Sequence, residues 1–158
     1  MHMIGSLQTN KVRFIIDSVK MIHSLDRMSL AKEINKRAKK IDRVMDVLVQ
    51  VNVSGEETKS GFAPGEVIDF LKSIEDYDHI KIKGLMTMAP HYEDPEDTRY
   101  VFRELKELFE EIKKEDIKNV DMQYLSMGMS NDFEVALEEG SNMIRVGTAI
   151  FGARDYSK

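Results

Sequence analysis

The sequence predicts an α/β fold in which parallel strands alternate with helices. Short apolar runs alternate with stretches whose apolar residues recur at helical spacing, in the order β-α-β-α-β-α-β-α-β-α-β. The run at 43–53 is apolar almost throughout and rich in β-branched residues, which is typical of a strand buried on both faces of a parallel sheet. Strict alternation implies parallel strands joined by right-handed crossovers, with the helices outside the sheet.

The first half of the chain holds three predicted strands and two predicted helices. Residues 2–5 form a short apolar piece that ends in glycine, residues 21–25 form a second strand, and residues 43–53 form the third. Helices are predicted at 9–19 and 29–41 because apolar residues there lie three and four positions apart. These residues are Val12, Ile15, Ile16 and Val19 in the first helix, and Leu30, Ile34, Ala38 and Ile41 in the second.

The middle of the chain continues the alternation with a loop, a helix, a strand and a long helix. The loop covers 54–62, and Pro64 follows it at a position suited to the first residue of a helix. A strand is predicted at 80–88. Asp94 and Pro95 then begin a long helix that runs to about residue 115.

The stretch from Leu125 to Gly152 predicts a strand, a glycine loop, a short helix, a strand and a second glycine loop. Asn131 and Glu134 have the spacing of a capping box at the start of the short helix. Gly140 has the position of the glycine that ends it. Its predicted buried stripe consists of Phe133, Ala136 and Leu137.

The two glycine loops of this stretch predict an anion site. Ser130 lies in the first loop, and Gly147 and Thr148 directly follow the predicted strand at 143–146. The carboxyl ends of neighbouring parallel strands lie at one edge of a sheet, so backbone N–H groups and two hydroxyls would meet there. Arg145 brings a fixed positive charge to the same edge. The alternative is that these are ordinary turn residues and that Arg145 is a surface charge.

Two architectures fit the alternation: a doubly wound open sheet, and part of a (β/α)8 barrel. Both bind ligands at the carboxyl ends of their strands. Glycine, serine and asparagine residues gather at those ends, namely Gly5, Asn52, Ser54, Gly55, Gly128, Ser130 and Gly147. A phosphate site at the last two strand ends is typical of barrels and favours the barrel, although a chain of 158 residues is short for one. We expect a single domain over residues 1–158.

The composition narrows the possible partners and locations. A net charge of −5 and a pI near 5.4 argue against nucleic acid or an anionic membrane as the main partner. The chain has no cysteine, which fits a reducing cytoplasm, and it has no apolar run of membrane-spanning length. Its four histidines show no metal-binding spacing, so no metal site is predicted.

A family resemblance is carried by five segments that cover nearly the whole chain. They are HMIGSLQTNK (2–11), QVNVSGEETKSG (50–61), GLMTMAP (84–90), LSMGMSNDFEVALEEG (125–140) and MIRVGTAIFGARDY (143–156). In this order they resemble the pyridoxal phosphate (PLP) homeostasis proteins, small PLP-binding barrels related to the N-terminal domain of alanine racemase. The resemblance implies a (β/α)8-type barrel with one PLP at the carboxyl ends of its strands.

The resemblance also implies roles for individual residues. It implies that Ser130, Gly147 and Thr148 hold the phosphate of PLP and that Arg145 lies near the pyridine ring. The residues that it implies as further lining of the pocket are Met127, Met129 and His2.

One feature of the family has no counterpart in this sequence. In that family a lysine on the first strand forms a Schiff base with PLP, whereas this chain resembles the family from the third strand onward. None of its lysines lies in a matching motif. We therefore expect a barrel truncated to about six β/α units, which binds PLP weakly and without a covalent bond.

The function that the resemblance implies is PLP binding in intracellular PLP homeostasis, without catalysis. An arginine near the ring nitrogen keeps that nitrogen unprotonated and weakens PLP as an electron sink. The alternative is an enzyme, either a PLP-dependent amino-acid racemase or another barrel enzyme that acts on a phosphorylated metabolite. The exposed strand edges of an incomplete barrel also predict self-association.

Overall fold

The computed structural model describes residues 1–152, in which six strands alternate with six α-helices. The strands are β1 (His2–Met3), β2 (Met21–Leu25), β3 (Met45–Gln50), β4 (Ile80–Met86), β5 (Val120–Met129) and β6 (Met143–Arg145). The helices are α1 (Val12–Ile15), α2 (Met28–Lys40), α3 (Val67–Ser73), α4 (Arg99–Ile112), α5 (Phe133–Glu138) and α6 (Thr148–Phe151). Single 3₁₀ turns precede three of the helices, at Thr9–Lys11, Pro64–Glu66 and Pro95–Thr98. Residues 153–156, the end of the last motif, lie outside the described residues.

All six strands are parallel and lie in the sheet in chain order, β1-β2-β3-β4-β5-β6. A doubly wound sheet would instead reverse its winding direction near the middle. The observed order therefore confirms the barrel-type prediction against the doubly wound alternative. Within residues 1–152, β1 and β6 each pair with one strand only, so the sheet forms part of a barrel wall with two free edges.

The side chains of the strands divide between an outer and an inner face of this wall. Val47 and Ile82 belong to one large core that the sheet shares with the helices. Because neighbouring residues of a strand point to opposite faces, Leu48 faces the other way and joins a separate small cluster with Met21 and Met86. This inner cluster therefore lies on the face of the sheet opposite the large core.

The long helix α4 follows its sequence pattern. It buries one side, consisting of Val101, Phe102, Leu105, Leu108, Phe109 and Ile112. The predicted cap is present one turn earlier, where the Asp94 carboxylate accepts a hydrogen bond from the N–H of Glu96 at 3.0 Å. The first turn, Pro95–Thr98, is a 3₁₀ turn, and the helix ends at Ile112 rather than near residue 115.

Two other helices differ from prediction. The helix expected at 9–19 is a 3₁₀ turn followed by one α-turn that ends at Ile15, because the chain must turn to enter β2 at Met21. The apolar residues at 12, 16 and 19 are nevertheless buried. The spacing of apolar residues therefore predicted which side chains are buried, but it did not predict the length of the helix. In α5 the residue at the N-cap position is Asp132 rather than Asn131, so the predicted capping box is wrong.

The predicted apolar stripe of α5 is also shifted. Val135 and Ala136 are buried, whereas Leu137 is 48% exposed. Asp132 explains the shift, since its carboxylate accepts a hydrogen bond from the N–H of Met129 at 2.6 Å and ties the start of the helix to the end of β5. Gly140 ends the helix with a φ of +94°, as predicted for a C-terminal glycine.

Candidate functional site

A cavity of about 970 Å³ lies at the carboxyl ends of the strands. Its walls come from the end of β1, from His23 on β2, from the loop after β4, from the loop between β5 and α5, and from β6 with the turn that follows it. Ile4, Met88 and Met129 supply apolar surface, and Ser130, Arg145 and Thr148 supply polar groups. This combination suits a flat ring that carries an anionic group.

The two predicted glycine loops meet at this cavity. Thr148 Oγ1 donates a hydrogen bond to Ser130 Oγ at 3.3 Å, and the backbone N–H of Ala149 donates to the same oxygen at 3.3 Å. An added Cβ at Gly147 would have no heavy atom within 4 Å, so there is open space beside the turn. Two hydroxyls and the start of α6 therefore face one open region, where the first N–H groups of a helix have no partner within the helix.

Arg145 lies between these loops and the inner face of the sheet. Its Nη1 donates to Ser126 Oγ at 2.7 Å, and its Nη2 donates to the carbonyl oxygen of Thr87 at 2.7 Å. Burial lowers the pKa of the guanidinium from its ordinary value, while the nearby Asp132 carboxylate raises it. An arginine side chain stays protonated under such a shift, so the cavity contains a fixed positive charge whose direction is set by two hydrogen bonds.

A pair of histidines continues this polar network. His23 Nδ1 lies 3.2 Å from Ser126 Oγ, and His23 Nε2 lies 3.0 Å from His2 Nδ1. The two rings are tilted, with centroids 5.2 Å apart. Burial, and then the nearness of His2 and Arg145, lower the pKa of His23 from 6.5 to about 4. His23 is therefore neutral at neutral pH.

The structure brings six of the seven predicted site residues together and leaves out the seventh. The residues that line the cavity are His2, Met129, Ser130, Arg145, Gly147 and Thr148. Met127 does not line it, because its side chain is fully buried in the outer core. Alternation would place Met127 on the same face as Met129, but the backbone is irregular at Gly128, where φ is +91° and the β5–β6 register shifts. The pocket role expected for Met127 is therefore wrong.

Comparison with known proteins decides the family. The family model described as the N-terminal domain of alanine racemase matches residues 1–155. The pyridoxal phosphate homeostasis protein of Aquifex aeolicus (strain VF5) is 51% identical over 155 residues, which are 98% of this chain and 67% of that protein. The chain belongs to the alanine racemase N-terminal domain family and, within it, to the PLP homeostasis proteins. A second family member, from Pasteurella multocida (strain Pm70), is 38% identical over 99% of this chain and 67% of its own length.

Solved structures agree on the barrel. PipY of Synechococcus elongatus PCC7942, in a structure with PLP bound, is 30% identical with a TM-score of 0.85, over 96% of this chain and 69% of PipY. Alanine racemase of Clostridium difficile 630, in a complex with cycloserine, is 17% identical with a TM-score of 0.74, over 97% of this chain and 41% of the racemase, and indicates the fold alone. The family member described here spans about two thirds of the length of its curated relatives.

Three buried polar residues of the site were not predicted: His23, Ser126 and Thr87. All three are buried, at 1%, 0% and 1% exposure. A histidine within the apolar run at 21–25 was the available signal, because a buried polar side chain needs a hydrogen-bond partner. The partners of His23 lie on β5 and β1 and depend on sheet register, which the sequence does not reveal.

The lowered pKa of His23 predicts a pH dependence of stability. The unfolded chain takes up a proton on this ring near pH 6.5, whereas the folded chain does so only near pH 4. The neutral ring therefore stabilises the fold above pH 6.5, and this stabilisation is lost as the pH falls towards 4. We expect a loss on the order of 2 kcal/mol from this group.

Urea unfolding of the wild type and of His23→Gln between these pH values checks this expectation. The stability of His23→Gln should depend less on pH, because that side chain does not titrate. His91→Gln, at an exposed histidine of the same cavity, is the matched control and should keep the wild-type slope. Equal slopes for the wild type and His23→Gln would contradict the prediction.

The described residues offer neither a metal site nor a membrane-spanning helix. Among residues 1–152, no group of three or more His, Cys, Asp or Glu side chains is placed to hold a metal ion. In the same part of the chain, no helix has both the length and the apolar character needed to span a membrane.

Proposed function

We propose that this chain binds PLP non-covalently in the cavity and serves intracellular PLP homeostasis rather than catalysis. The proposal depends on one observation: the loop after β5 and the turn after β6 meet at the cavity. There Ser130 Oγ and Thr148 Oγ1 lie 3.3 Å apart, and Arg145 lines the same cavity. Two relatives carry the name pyridoxal phosphate homeostasis protein, and a PipY structure contains PLP. Each of these facts supports the same ligand.

The residues present fit PLP at both of its ends. The phosphate would lie at the hydroxyls of Ser130 and Thr148 and at the backbone of Gly147, where the open space beside the turn admits it. The ring would lie against Met129, with Arg145 near the ring nitrogen. A guanidinium is a hydrogen-bond donor only, so an acceptor such as an unprotonated pyridine nitrogen suits it.

The same arginine supports a role without catalysis. PLP, when bound, supplies an aldehyde for amines and a ring that withdraws electrons from them. Arg145 holds its proton permanently, so it would not pass that proton to the ring nitrogen, and the withdrawal of electrons would be weak. Racemisation also needs a base on each face of the substrate. No lysine or tyrosine is among the cavity-lining residues within 1–152.

Titration of the full chain with PLP, followed by fluorescence, tests the proposal. We expect saturable binding that Ser130→Ala combined with Thr148→Val weakens about tenfold, because hydrogen bonds to a charged group are lost. Ser18→Ala is the matched control, since Ser18 is an exposed serine that precedes β2 at the opposite end of the strands. Binding that is equally strong in the double variant would contradict the phosphate assignment.

Two additional readouts separate this proposal from the alternatives. Borohydride added after PLP should leave the intact mass unchanged, whereas a stable adduct on one lysine would show a covalent link. Incubation with PLP and L-alanine in deuterated water should leave the α-hydrogen in place. Its exchange would favour the racemase-like alternative.

Self-association through β1 and β6 is also part of the proposal, because each of these strands has one unpaired edge within residues 1–152.

A further inference from the structure

Four side chains at the cavity form one continuous series of hydrogen bonds. Arg145 Nη1 lies 2.7 Å from Ser126 Oγ, Ser126 Oγ lies 3.2 Å from His23 Nδ1, and His23 Nε2 lies 3.0 Å from His2 Nδ1. Ser126 and His23 are 0% and 1% exposed, whereas His2 is exposed and lines the cavity. This series of hydrogen bonds therefore begins and ends at the cavity and passes through the buried inner face between Arg145 and His2.

The direction of these hydrogen bonds follows from the donor and acceptor properties of each group. A guanidinium has no acceptor, so Ser126 Oγ must accept from Arg145. The hydroxyl hydrogen of Ser126 then needs an acceptor of its own. Among residues 1–152 the acceptor within hydrogen-bonding distance is His23 Nδ1. His23 Nδ1 is therefore unprotonated, and its proton lies on Nε2, from which it is donated to His2 Nδ1.

The opposite direction is disfavoured. If His23 Nδ1 carried the proton and donated it to Ser126, the hydroxyl hydrogen of Ser126 would be buried without an acceptor. A buried, unsatisfied donor of this kind disfavours an arrangement by roughly tenfold or more. A doubly protonated His23 would have the same defect and would also place a second positive charge beside Arg145.

The charges around the two rings favour the same state. His2 from β1 and Arg145 from β6 are the groups that lower the pKa of His23 in addition to burial, and Asp132 from the β5–α5 turn acts on Arg145. No acidic group is among the causes that shift His23. Nothing there offsets the cost of a charged ring, so the neutral ring is the stable form.

We propose that Ser126 and His23 are positioning residues, which orient Arg145 and fix His2 as a hydrogen-bond donor to the ligand through Nε2–H. His2 Nδ1 accepts from His23, so the proton of a neutral His2 lies on Nε2. The ligand group that matches such a donor is an oxygen acceptor on the ring, such as a phenolic or carbonyl oxygen. The ligand part of this inference rests on the proposed function, whereas the hydrogen-bond directions do not.

NMR spectroscopy of the ligand-free full chain, labelled with ¹⁵N at histidine, tests the directions without PLP. Nitrogen–proton correlations show which ring nitrogen carries the proton. We expect His23 to be protonated on Nε2 alone at neutral pH and down to about pH 5, since its pKa is about 4. A proton on Nδ1 of His23, or titration of this ring near 6.5, would overturn the inference.

Variants distinguish positioning from a purely structural role. In Ser126→Ala the hydroxyl that fixes Nδ1 is lost, so both tautomers of His23 should become populated, and Ser126→Thr should restore the single tautomer. Ser24→Ala is the matched control, because Ser24 is equally buried on the same strand as His23 and its hydroxyl makes no hydrogen bond within residues 1–152. A Ser126→Ala protein whose His23 keeps the wild-type tautomer would contradict the proposal.

The affinity for PLP tests the ligand part of the inference. Ser126→Ala should weaken PLP binding about tenfold through loss of the hydrogen bond that orients Arg145, and Ser24→Ala should not weaken it. Wild-type affinity in Ser126→Ala would overturn the positioning role even if the tautomer is as expected. If the wild type binds no PLP, the proposed function fails, and the NMR result still decides the hydrogen-bond directions.

Discussion

Replacement of Gly84 by alanine is expected to destabilise the chain by about 4 kcal/mol, the largest effect of a single methyl group that we predict. Gly84 lies in β4 with a φ of +154°, and an added Cβ would lie 1.8 Å from the carbonyl oxygen of Tyr124. Tyr124 is its neighbour in β5, in the middle of the β4–β5 pairing. The methyl group can be accommodated only if the two strands separate, and neither strand lies at an edge of the sheet.

Urea unfolding of Gly84→Ala measures this effect, and Gly65→Ala is its matched control. An added Cβ at Gly65 would have no heavy atom within 4 Å, and that residue lies in the 3₁₀ turn before α3. Gly65→Ala should therefore change stability by less than about 0.5 kcal/mol. An unfolding midpoint of Gly84→Ala equal to that of the wild type would show that β4 and β5 do not approach as closely as the structure indicates.

The sequence predicted the order of the elements because burial has a strong local signature. β3 reads as a continuous apolar run, and α4 carries its buried residues at helical spacing, so each could be recognised without knowledge of its neighbours. The choice between a barrel and a doubly wound sheet was less secure. It depends on which strands pair, and residues that pair are distant in the chain. The β4–β5 register, for example, joins residue 84 to residue 124.

The site was predicted where its residues are adjacent in the chain to a strand end. Ser130 directly follows β5 and Thr148 lies three residues after the end of β6, and parallel strands place such residues at one edge. His23 and Ser126 were missed because they lie within strands, and their contact joins β2 to β5 across the inner face. The error at Met127 has a similar origin. Met127 follows the alternation of Leu125 and Ser126 and points outward, whereas the irregularity at Gly128, where the pairing with β6 shifts, brings Met129 to the cavity.

Replacement of Arg145 by methionine is expected to weaken PLP binding about a hundredfold, near the upper end of the range for loss of a hydrogen bond to a charged group. Stability should not fall with it. Burial lowers the pKa of this guanidinium, which means that the fold bears a cost for the charge. No carboxylate within residues 1–152 lies within salt-bridge distance of Arg145 to repay that cost. An apolar side chain of similar length removes this cost while filling the space, which offsets the loss of the hydrogen bonds to Ser126 Oγ and to the Thr87 carbonyl oxygen.

A fluorescence titration with PLP and urea unfolding, performed on the same preparation, measure the two effects together. Arg37→Met is the matched control, because Arg37 lies on α2 and pairs with Glu33 on the same helix, away from the cavity. It should keep wild-type affinity. A decrease in affinity accompanied by an equal decrease in stability would contradict the prediction, since it would make Arg145 a structural residue. A decrease in affinity at unchanged or higher stability would mean that the fold retains a costly, half-buried cation because the ligand requires it.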